Sequence, residues 1–126
     1  LGLAFSRKNE KSTDNSIDSK SEIQNHFVRK NGEMVRLEIE NILWIKGEDN
    51  YSDIYLKSGE KFTISQTLKS MEEKFSSDNF VRIQKGYIIN LSSISSISGN
   101  VVYIDKESIP IGKAYRKDFF KKLMVL

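Results

Sequence analysis

Short apolar runs separated by turn signals follow one another from His26 to about residue 111. The run at 42–46 consists largely of β-forming residues, and in 51–57 Ile54 and Leu56 fall on one face, as the period of two in a strand requires. The loops between successive runs are tight, which favours antiparallel pairing of neighbours. The predicted strands cover residues 26–30, 34–39, 42–46, 51–57, 61–64, both halves of 80–90, 91–97, 101–105 and 108–111.

Three dipeptides mark the sharpest of these turns. Asn31-Gly32 is the pair best able to take the two left-handed positions of a type I′ hairpin, so it predicts a hairpin after residue 30. Ser58-Gly59 and Ser98-Gly99 predict further reversals. Pro110 cannot donate a backbone hydrogen bond and therefore favours an edge or terminal strand.

Two segments have the spacing of three and four residues that is typical of helices. Ser65 can cap a short packing helix over 66–75. A closing helix is predicted over 113–124. The predicted inner faces consist of Leu68, Met71 and Phe75 in the first helix and of Tyr115, Phe119, Phe120 and Leu123 in the second. The expected fold class is mainly β, with small antiparallel sheets, one short packing helix and a C-terminal helix.

The first 25 residues differ in composition from the rest. Residues 6–25 contain Ile17 and Ile23 as their apolar residues, too few to offset the entropy of ordering. The chain begins with leucine rather than methionine, and residues 1–5 are too short for the apolar region of a signal peptide. We therefore expect a fragment of a longer protein. Residues 1–25 would be the end of an upstream element plus a flexible linker, and 26–126 one domain.

The composition excludes several kinds of chemistry. Cysteine is absent, so the chain has no disulfide, thiol nucleophile or cysteine metal site, and no apolar run approaches the roughly 18 residues of a membrane span. No carboxylate pair, nucleophile elbow or glycine-rich phosphate loop is visible, and none of the usual metal-site spacings occurs. We expect no enzyme, metal or cofactor, and a cytoplasmic location.

Three aromatic side chains have alternative interpretations. The one histidine of the chain, His26, is expected at the surface or at a strand edge rather than as a metal ligand. Trp44 stands between two apolar residues and is expected in the core. Tyr51 begins a predicted strand, where its ring is either half-buried or presented to a ligand.

The positive charge of the chain is concentrated in its last third. Residues 80–126 contain eight Lys or Arg and three Asp or Glu, whereas the formal net charge of the whole chain is +3. Such concentration favours binding to phosphate backbones, and a solvated terminal helix explains it equally well.

Gln84 and Lys85 are predicted at the apex of a turn within 80–90, where Gly86 permits a positive φ or a close approach. An amide beside a cation suits base edges and phosphates. The plainer alternative is a strand, a turn and a strand with a solvated lysine.

Four blocks of sequence occur in order along the chain. They are Ile-Leu-Trp-Ile-Lys-Gly-Glu-Asp-Asn-Tyr at 42–51, Gln-Thr-Leu at 66–68 with Met71 and Phe75, Phe-Val-Arg-Ile-Gln-Lys-Gly-Tyr-Ile-Ile-Asn at 80–90, and Ile-Pro-Ile-Gly-Lys at 109–113 with Tyr115. Together they resemble the LytTR family of bacterial DNA-binding domains over about 26–126. The resemblance implies an elongated arrangement of small antiparallel sheets. It also implies double-stranded DNA as the partner and no membrane partner. Family members usually follow a receiver domain in two-component response regulators that control transcription, so an upstream receiver and a sensor histidine kinase acting on it are implied as well.

The resemblance further implies three loops that enter successive major grooves, without a recognition helix. By position, the implied contact residues are Asn50, Tyr51, Lys85 and Lys113, with Gln84 and Arg116 beside them. Two departures stand out: Gln84-Lys85-Gly86 replaces the His-Arg-Ser of many members, and Gly112-Lys113 replaces their Ser-Arg. Lysine lacks the planar fork of arginine, so we expect discrimination between sequences to be weaker or to depend more on DNA shape. Asn90, also part of the family pattern, is expected to make a hydrogen bond at a turn or strand end.

A second hypothesis comes from another class: a small all-β module that binds a protein partner and does not bind DNA. The discriminating feature is whether Asn50, Tyr51, Lys85 and Lys113 lie on one face, because residues on opposite faces could not read one duplex. A single domain of this size offers a small interface, so the isolated fragment is expected to be monomeric or weakly associating, with the upstream receiver supplying dimerisation when phosphorylated.

Overall fold

The computed structural model describes residues 25–75 and 79–126, and in these ranges the chain forms ten strands and two short α-helices. The strands are β1 (His26–Lys30), β2 (Glu33–Leu37), β3 (Ile42–Glu48), β4 (Tyr51–Leu56), β5 (Lys61–Ile64), β6 (Phe80–Gln84), β7 (Tyr87–Asn90), β8 (Ser96–Ser98), β9 (Val101–Ile104) and β10 (Glu107–Pro110). The helices are α1 (Leu68–Lys74) and α2 (Arg116–Lys121), and 3-10 turns lie at Ile39–Asn41, Leu91–Ser93 and Lys113–Tyr115. The linker predicted for 1–25 lies outside the described residues except for Asn25.

The strands form three antiparallel sheets. A five-stranded sheet in the order β5-β4-β3-β7-β6 is the central layer, and the β1–β2 hairpin and a three-stranded sheet in the order β10-β9-β8 are separate from it. The prediction of a mainly β fold made of small antiparallel sheets is confirmed. Pro110 ends β10, which is an edge strand as its missing N–H predicted.

The central sheet carries an apolar core on each face, because successive side chains of a strand point to opposite sides. On one side it packs against α1 and the β1–β2 hairpin, and on the other against the three-stranded sheet and α2. The first core contains Val28, Leu37, Ile42, Ile45, Ile54, Phe62, Leu68, Met71, Phe75, Phe80 and Ile88. The second core contains Leu43, Trp44, Val81, Ile83, Ile89, Val102, Ile104, Ile109, Ile111 and Phe119.

Both predicted helices are present, but their ends differ from the prediction. The cap of α1 is Thr67 rather than Ser65, since the Thr67 hydroxyl accepts a hydrogen bond from the Ser70 amide at 3.1 Å. The backbone of Gln66 is held in a bend instead, where its carbonyl accepts a hydrogen bond from the buried Ser52 hydroxyl at 2.8 Å. The first helix therefore begins at Leu68.

The closing segment begins as a 3-10 turn, and α2 ends at Lys121 instead of residue 124. Phe120 was wrongly assigned to the inner face. Consecutive helical residues point about 100° apart. Phe119 is fully buried in the second core, and Phe120 is consequently 39% exposed.

The predicted strand over 91–97 is shorter than expected, because a 3-10 turn occupies Leu91–Ser93. The buried Asn90 side chain forms this turn. Its Oδ1 accepts a hydrogen bond from the Ser92 amide at 3.0 Å, and its Nδ2 donates to the Ile42 carbonyl at 2.8 Å. The expectation that Asn90 is a strand-end hydrogen bonder is confirmed.

Asn31 and Gly32 have φ values of 53° and 82°, which confirms the predicted left-handed hairpin turn. Gly86 behaves differently from its prediction. Its φ is not positive, and a Cβ built on it would meet no atom within 4 Å. A β-bulge precedes the reversal, since the register of β6 against β7 shifts between Arg82 and Gln84. Such a bulge adds local twist to the strand.

The aromatic residues lie in three different environments. Trp44 is buried and stacks on Tyr55 with ring centroids 5.0 Å apart, which confirms the core prediction. His26 begins β1 as expected, but its ring is half-buried because it stacks on Phe75 at 4.9 Å. Tyr51 is 43% exposed, so its ring is presented to solvent. Neither helix in the described ranges is long and apolar enough to cross a membrane.

Candidate nucleic-acid interface

Three connecting segments lie side by side at one end of the central sheet. The first turn, Asp49-Asn50, joins β3 to β4, and the second turn, Lys85-Gly86, joins β6 to β7. Both fall at the same end of β3, because Glu48 pairs with Tyr51 and Lys46 pairs with Tyr87. The third turn, residues 111–113, leads from β10 towards α2.

A backbone hydrogen bond joins β3, just before the first turn, to the second turn: the Gly47 amide donates to the Gly86 carbonyl at 2.9 Å. Gly47 also lies against α1, and a Cβ on it would be 2.8 Å from the Cβ of Leu68. Glycine is therefore required at residue 47 by close packing, and this packing holds the beginning of α1 beside the first two turns.

Backbone and side-chain bonds join the end of β6, just before the second turn, to the third turn and to the end of β10. The Gly112 amide donates to the Ile83 carbonyl at 2.7 Å, and the Gln84 Nε2 donates to the Pro110 carbonyl at 2.7 Å. A Cβ on Gly112 would lie 3.2 Å from the Cβ of Gln84, so the two segments are in close contact. On its other side the third turn is held by the Ile111 amide, which donates to the Asn100 carbonyl at 2.7 Å.

The six residues that sequence reasoning proposed for DNA contact all lie on or beside these turns. Asn50, Tyr51, Lys85 and Lys113 are exposed. Gln84 and Arg116 are half-buried, and both donate to backbone carbonyls of the segment before α2, Arg116 through its Nε to Ile111 at 3.1 Å. The structure thus brings four exposed side chains to one end of the sheet and uses the other two to shape the third turn.

Sequence reasoning missed Arg82. Its guanidinium donates to the Lys85 carbonyl, and it forms an ion pair with Glu72 of α1 at 3.3 Å. Strand alternation gives part of the signal, because Val81 and Ile83 both point into the second core and leave Arg82 on the α1 side. The partner on α1 belongs to a separate element and could not be identified from the sequence.

A local ion pair lies on β3, just before the first turn. Lys46 Nζ lies 3.5 Å from the Glu48 carboxylate, and both side chains are partly exposed. The electrostatic interaction with Tyr87, followed by that with the carboxylate of Glu48, raises the pKa of Lys46 above its ordinary value.

A cleft of about 440 Å³ opens between the first turn, the beginning of α1 and the second turn. Cationic residues on its walls face two carboxylates, those of Glu48 and Asp49. The cations are Lys69, Arg82 and Lys85. This end of the sheet therefore has mixed charge with a basic excess.

Comparisons with known proteins concern the sequence and the fold of the chain. The family model of the LytTr DNA-binding domain matches residues 32–124. The chain is 24% identical over 98 residues to the sensory transduction protein LytT of Bacillus subtilis (strain 168), a match that covers 73% of this chain and 40% of that protein. The chain thus spans well under half the length of this curated relative. Its fold is similar to that of a solved LytTr DNA-binding domain from Bacillus cereus, which is described as part of a putative methyl-accepting/DNA response regulator. The TM-score is 0.66 and the sequence identity 16%, and the match covers 77% of this chain and 94% of that one.

Proposed function

The chain belongs to the family of LytTr DNA-binding domains, and we propose that it binds double-stranded DNA sequence-specifically by inserting its three adjoining turns into the major groove. Membership of this family makes it a DNA-binding domain rather than an enzyme. The roles of individual residues in contacting the bases and phosphates are part of this proposal.

The observation that carries the proposal is that hydrogen bonds to the flanking strands hold the three turns side by side. The bonds from Gly47 to Gly86 and from Gly112 to Ile83 keep the exposed side chains of Asn50, Lys85 and Lys113 at one end of the sheet. One duplex can therefore meet all three turns at once, as a common DNA-binding surface requires. Residues on opposite faces could not read one duplex, so the position of the exposed side chains at one end of the sheet supports DNA binding.

The exposed side chains suit the edges of base pairs in the major groove. Lys85 and Lys113 can donate to the O6 and N7 acceptors of guanine, and Asn50 can pair with the N6 and N7 groups of adenine. The ring of Tyr51 can contact a thymine methyl group or the sugar-phosphate backbone. The role proposed for Gln84 and Arg116 is to hold the third turn while their remaining polar atoms face the DNA.

A helix is not suited to enter the groove in this domain. α2 has six residues, and its Phe119 is committed to the second core. Its lysines, Lys117 and Lys121, are exposed and are available for phosphates at the edge of the contact.

The larger protein that we propose is a response regulator of a two-component system that controls transcription. A receiver upstream of this domain would be phosphorylated by a sensor histidine kinase in the cytoplasm and would then bring two copies together on DNA. The name of the Bacillus subtilis relative, a sensory transduction protein, supports this arrangement. The domain alone would remain monomeric or weakly associating.

The experiment is a titration of the protein against the promoter duplex upstream of its native operon and against a scrambled duplex of equal length and composition. We expect tighter binding to the promoter duplex, and equal affinity for the two would refute sequence-specific recognition. No binding to either duplex by a folded protein would favour the alternative of a protein-interaction module.

A further inference from the structure

We propose that Arg82 is a positioning residue that fixes the second turn and thereby aims Lys85. Its Nη2 donates to the Lys85 carbonyl, and its Nη1 donates to the Glu72 carboxylate at 3.3 Å. One side chain therefore joins the second turn to α1. The consequence for DNA recognition rests on the proposed function, whereas the effect on the turn itself does not.

The second turn is attached at two carbonyl groups. The Gly86 carbonyl accepts the Gly47 amide of β3 at 2.9 Å, and the Lys85 carbonyl accepts the Arg82 guanidinium. The peptide group between Lys85 and Gly86 contains the Lys85 carbonyl, so the bond from Arg82 restricts rotation of the backbone next to the Lys85 side chain. Without Arg82 the turn would be held only by the bond from Gly47 to Gly86, so that bond would open more often and the direction of the Lys85 side chain would vary.

Arginine is suited to this position by its shape. The planar guanidinium can donate in two directions at once, whereas the ammonium of lysine is a single point at the end of a flexible chain. The Arg82 side chain is 21% exposed, and the carboxylate of Glu72 fixes its orientation from α1. Both terminal nitrogens already have protein acceptors, which favours a positioning role over direct contact with a phosphate.

The test uses Arg82→Lys, which keeps the charge and removes the fork, with Arg29→Lys as a matched control. Arg29 is an exposed arginine of β1, in the separate hairpin. We expect Arg82→Lys to weaken binding to the promoter duplex by about tenfold, the effect of losing one charge-assisted hydrogen bond. For Arg82→Lys, binding to scrambled DNA and the salt dependence of binding should stay as in the wild type. Arg29→Lys should leave binding to both duplexes unchanged.

A second variant tests whether the effect runs through Lys85. In a Lys85→Ala background the lysine side chain that Arg82 positions is absent. Adding Arg82→Lys should therefore cause little further loss of affinity at the promoter duplex. Glu72→Gln should weaken promoter binding in the same direction as Arg82→Lys but less, because the bond to the Lys85 carbonyl remains. Losses from Arg82→Lys and Lys85→Ala that multiply would overturn the inference, as would an equal loss at both duplexes.

Amide hydrogen exchange reports on the turn without DNA. The Gly47 amide donates to the second turn, and the Gly112 amide donates to Ile83. Arg82→Lys should raise the exchange rate of the Gly47 amide and leave that of Gly112 unchanged. Unchanged exchange at Gly47 would refute the positioning role even if promoter binding were lost. If the wild type fails to distinguish the two duplexes, the proposed function fails while the exchange experiment still decides the role of Arg82.

Discussion

Replacing Gly47 with alanine should destabilise the domain by pushing α1 away from the central sheet. A Cβ at residue 47 would lie 2.8 Å from the Cβ of Leu68 and 3.1 Å from its Cδ2. The Cδ2 can move by rotation of the side chain, but the Cβ is attached to the helix backbone. The shorter contact can therefore be relieved only if the strand and the helix separate, and Leu68 is buried in the first core.

The magnitude follows from two opposing effects. Overpacking of a core typically costs about 1 to 3 kcal/mol. Gly47 does not have a positive φ, so alanine fits its backbone and recovers about 0.4 to 1 kcal/mol by restricting the unfolded chain. We expect a net loss of about 1 to 2 kcal/mol in the free energy of unfolding, and Tm falls by about 4–8 °C per kcal/mol for a domain of this size.

The assay is thermal and urea unfolding followed by circular dichroism, with Gly86→Ala as the control. A Cβ on Gly86 meets no atom within 4 Å, and its φ is not positive, so this substitution should be neutral or stabilising by up to about 1 kcal/mol. If Gly47→Ala is as stable as Gly86→Ala, the close approach of α1 does not constrain residue 47 and the argument fails.

Four further outcomes can be measured. Lys85→Ala and Lys113→Ala should each weaken the binding free energy by about 1 to 3 kcal/mol at the promoter duplex and by less at scrambled DNA. The control is Lys106→Ala, on the turn at the opposite end of the three-stranded sheet. Equal losses at both duplexes would mean that the two lysines contact phosphates and do not read bases. Lys121→Ala should leave discrimination between the duplexes unchanged, with a fall of about one unit in the salt slope if the lysine touches a phosphate; a selective loss at the promoter would contradict this. Asn90→Ala should lower the free energy of unfolding by about 1 to 3 kcal/mol, because the buried hydrogen bond from its Nδ2 to the Ile42 carbonyl is lost. Urea denaturation measures the loss, and an unchanged midpoint would argue against it. The isolated chain should sediment as a monomer or weak associate, and a tight dimer would disprove that expectation.

Local sequence patterns were sufficient to predict most strands and the first hairpin. Asn31-Gly32 specifies its turn through the φ values that only a few residues adopt readily, and the short runs of β-forming residues around Ile45 and Ile54 indicate β3 and β4. These features depend on neighbours within a few residues of each other, and for that reason they can be recognised without knowledge of the fold.

Features that depend on distant partners could not be predicted. The contact of Gly47 with Leu68, the bond from Gln84 to Pro110 and the contact of Arg82 with Glu72 each join separate elements. The turn at 85–86 was predicted, but its mechanism was wrong, since the reversal follows a bulge that becomes visible only in the register with β7. The resemblance proposed Asn50, Tyr51, Lys85 and Lys113 for DNA contact, and all four are exposed, whereas the bonds that arrange the turns required the structure.

The bonds that hold the three turns in place have a consequence for how the specificity of this domain can change. The links from Gly47 to Gly86, Gly112 to Ile83 and Ile111 to Asn100 are made by backbone atoms. Exchanging the side chains at 50, 85 or 113 leaves those links intact, so many combinations of residues at these three positions should be compatible with the same fold. Operator preference could then diverge among related proteins, or be selected from a library of variants, at little cost in stability.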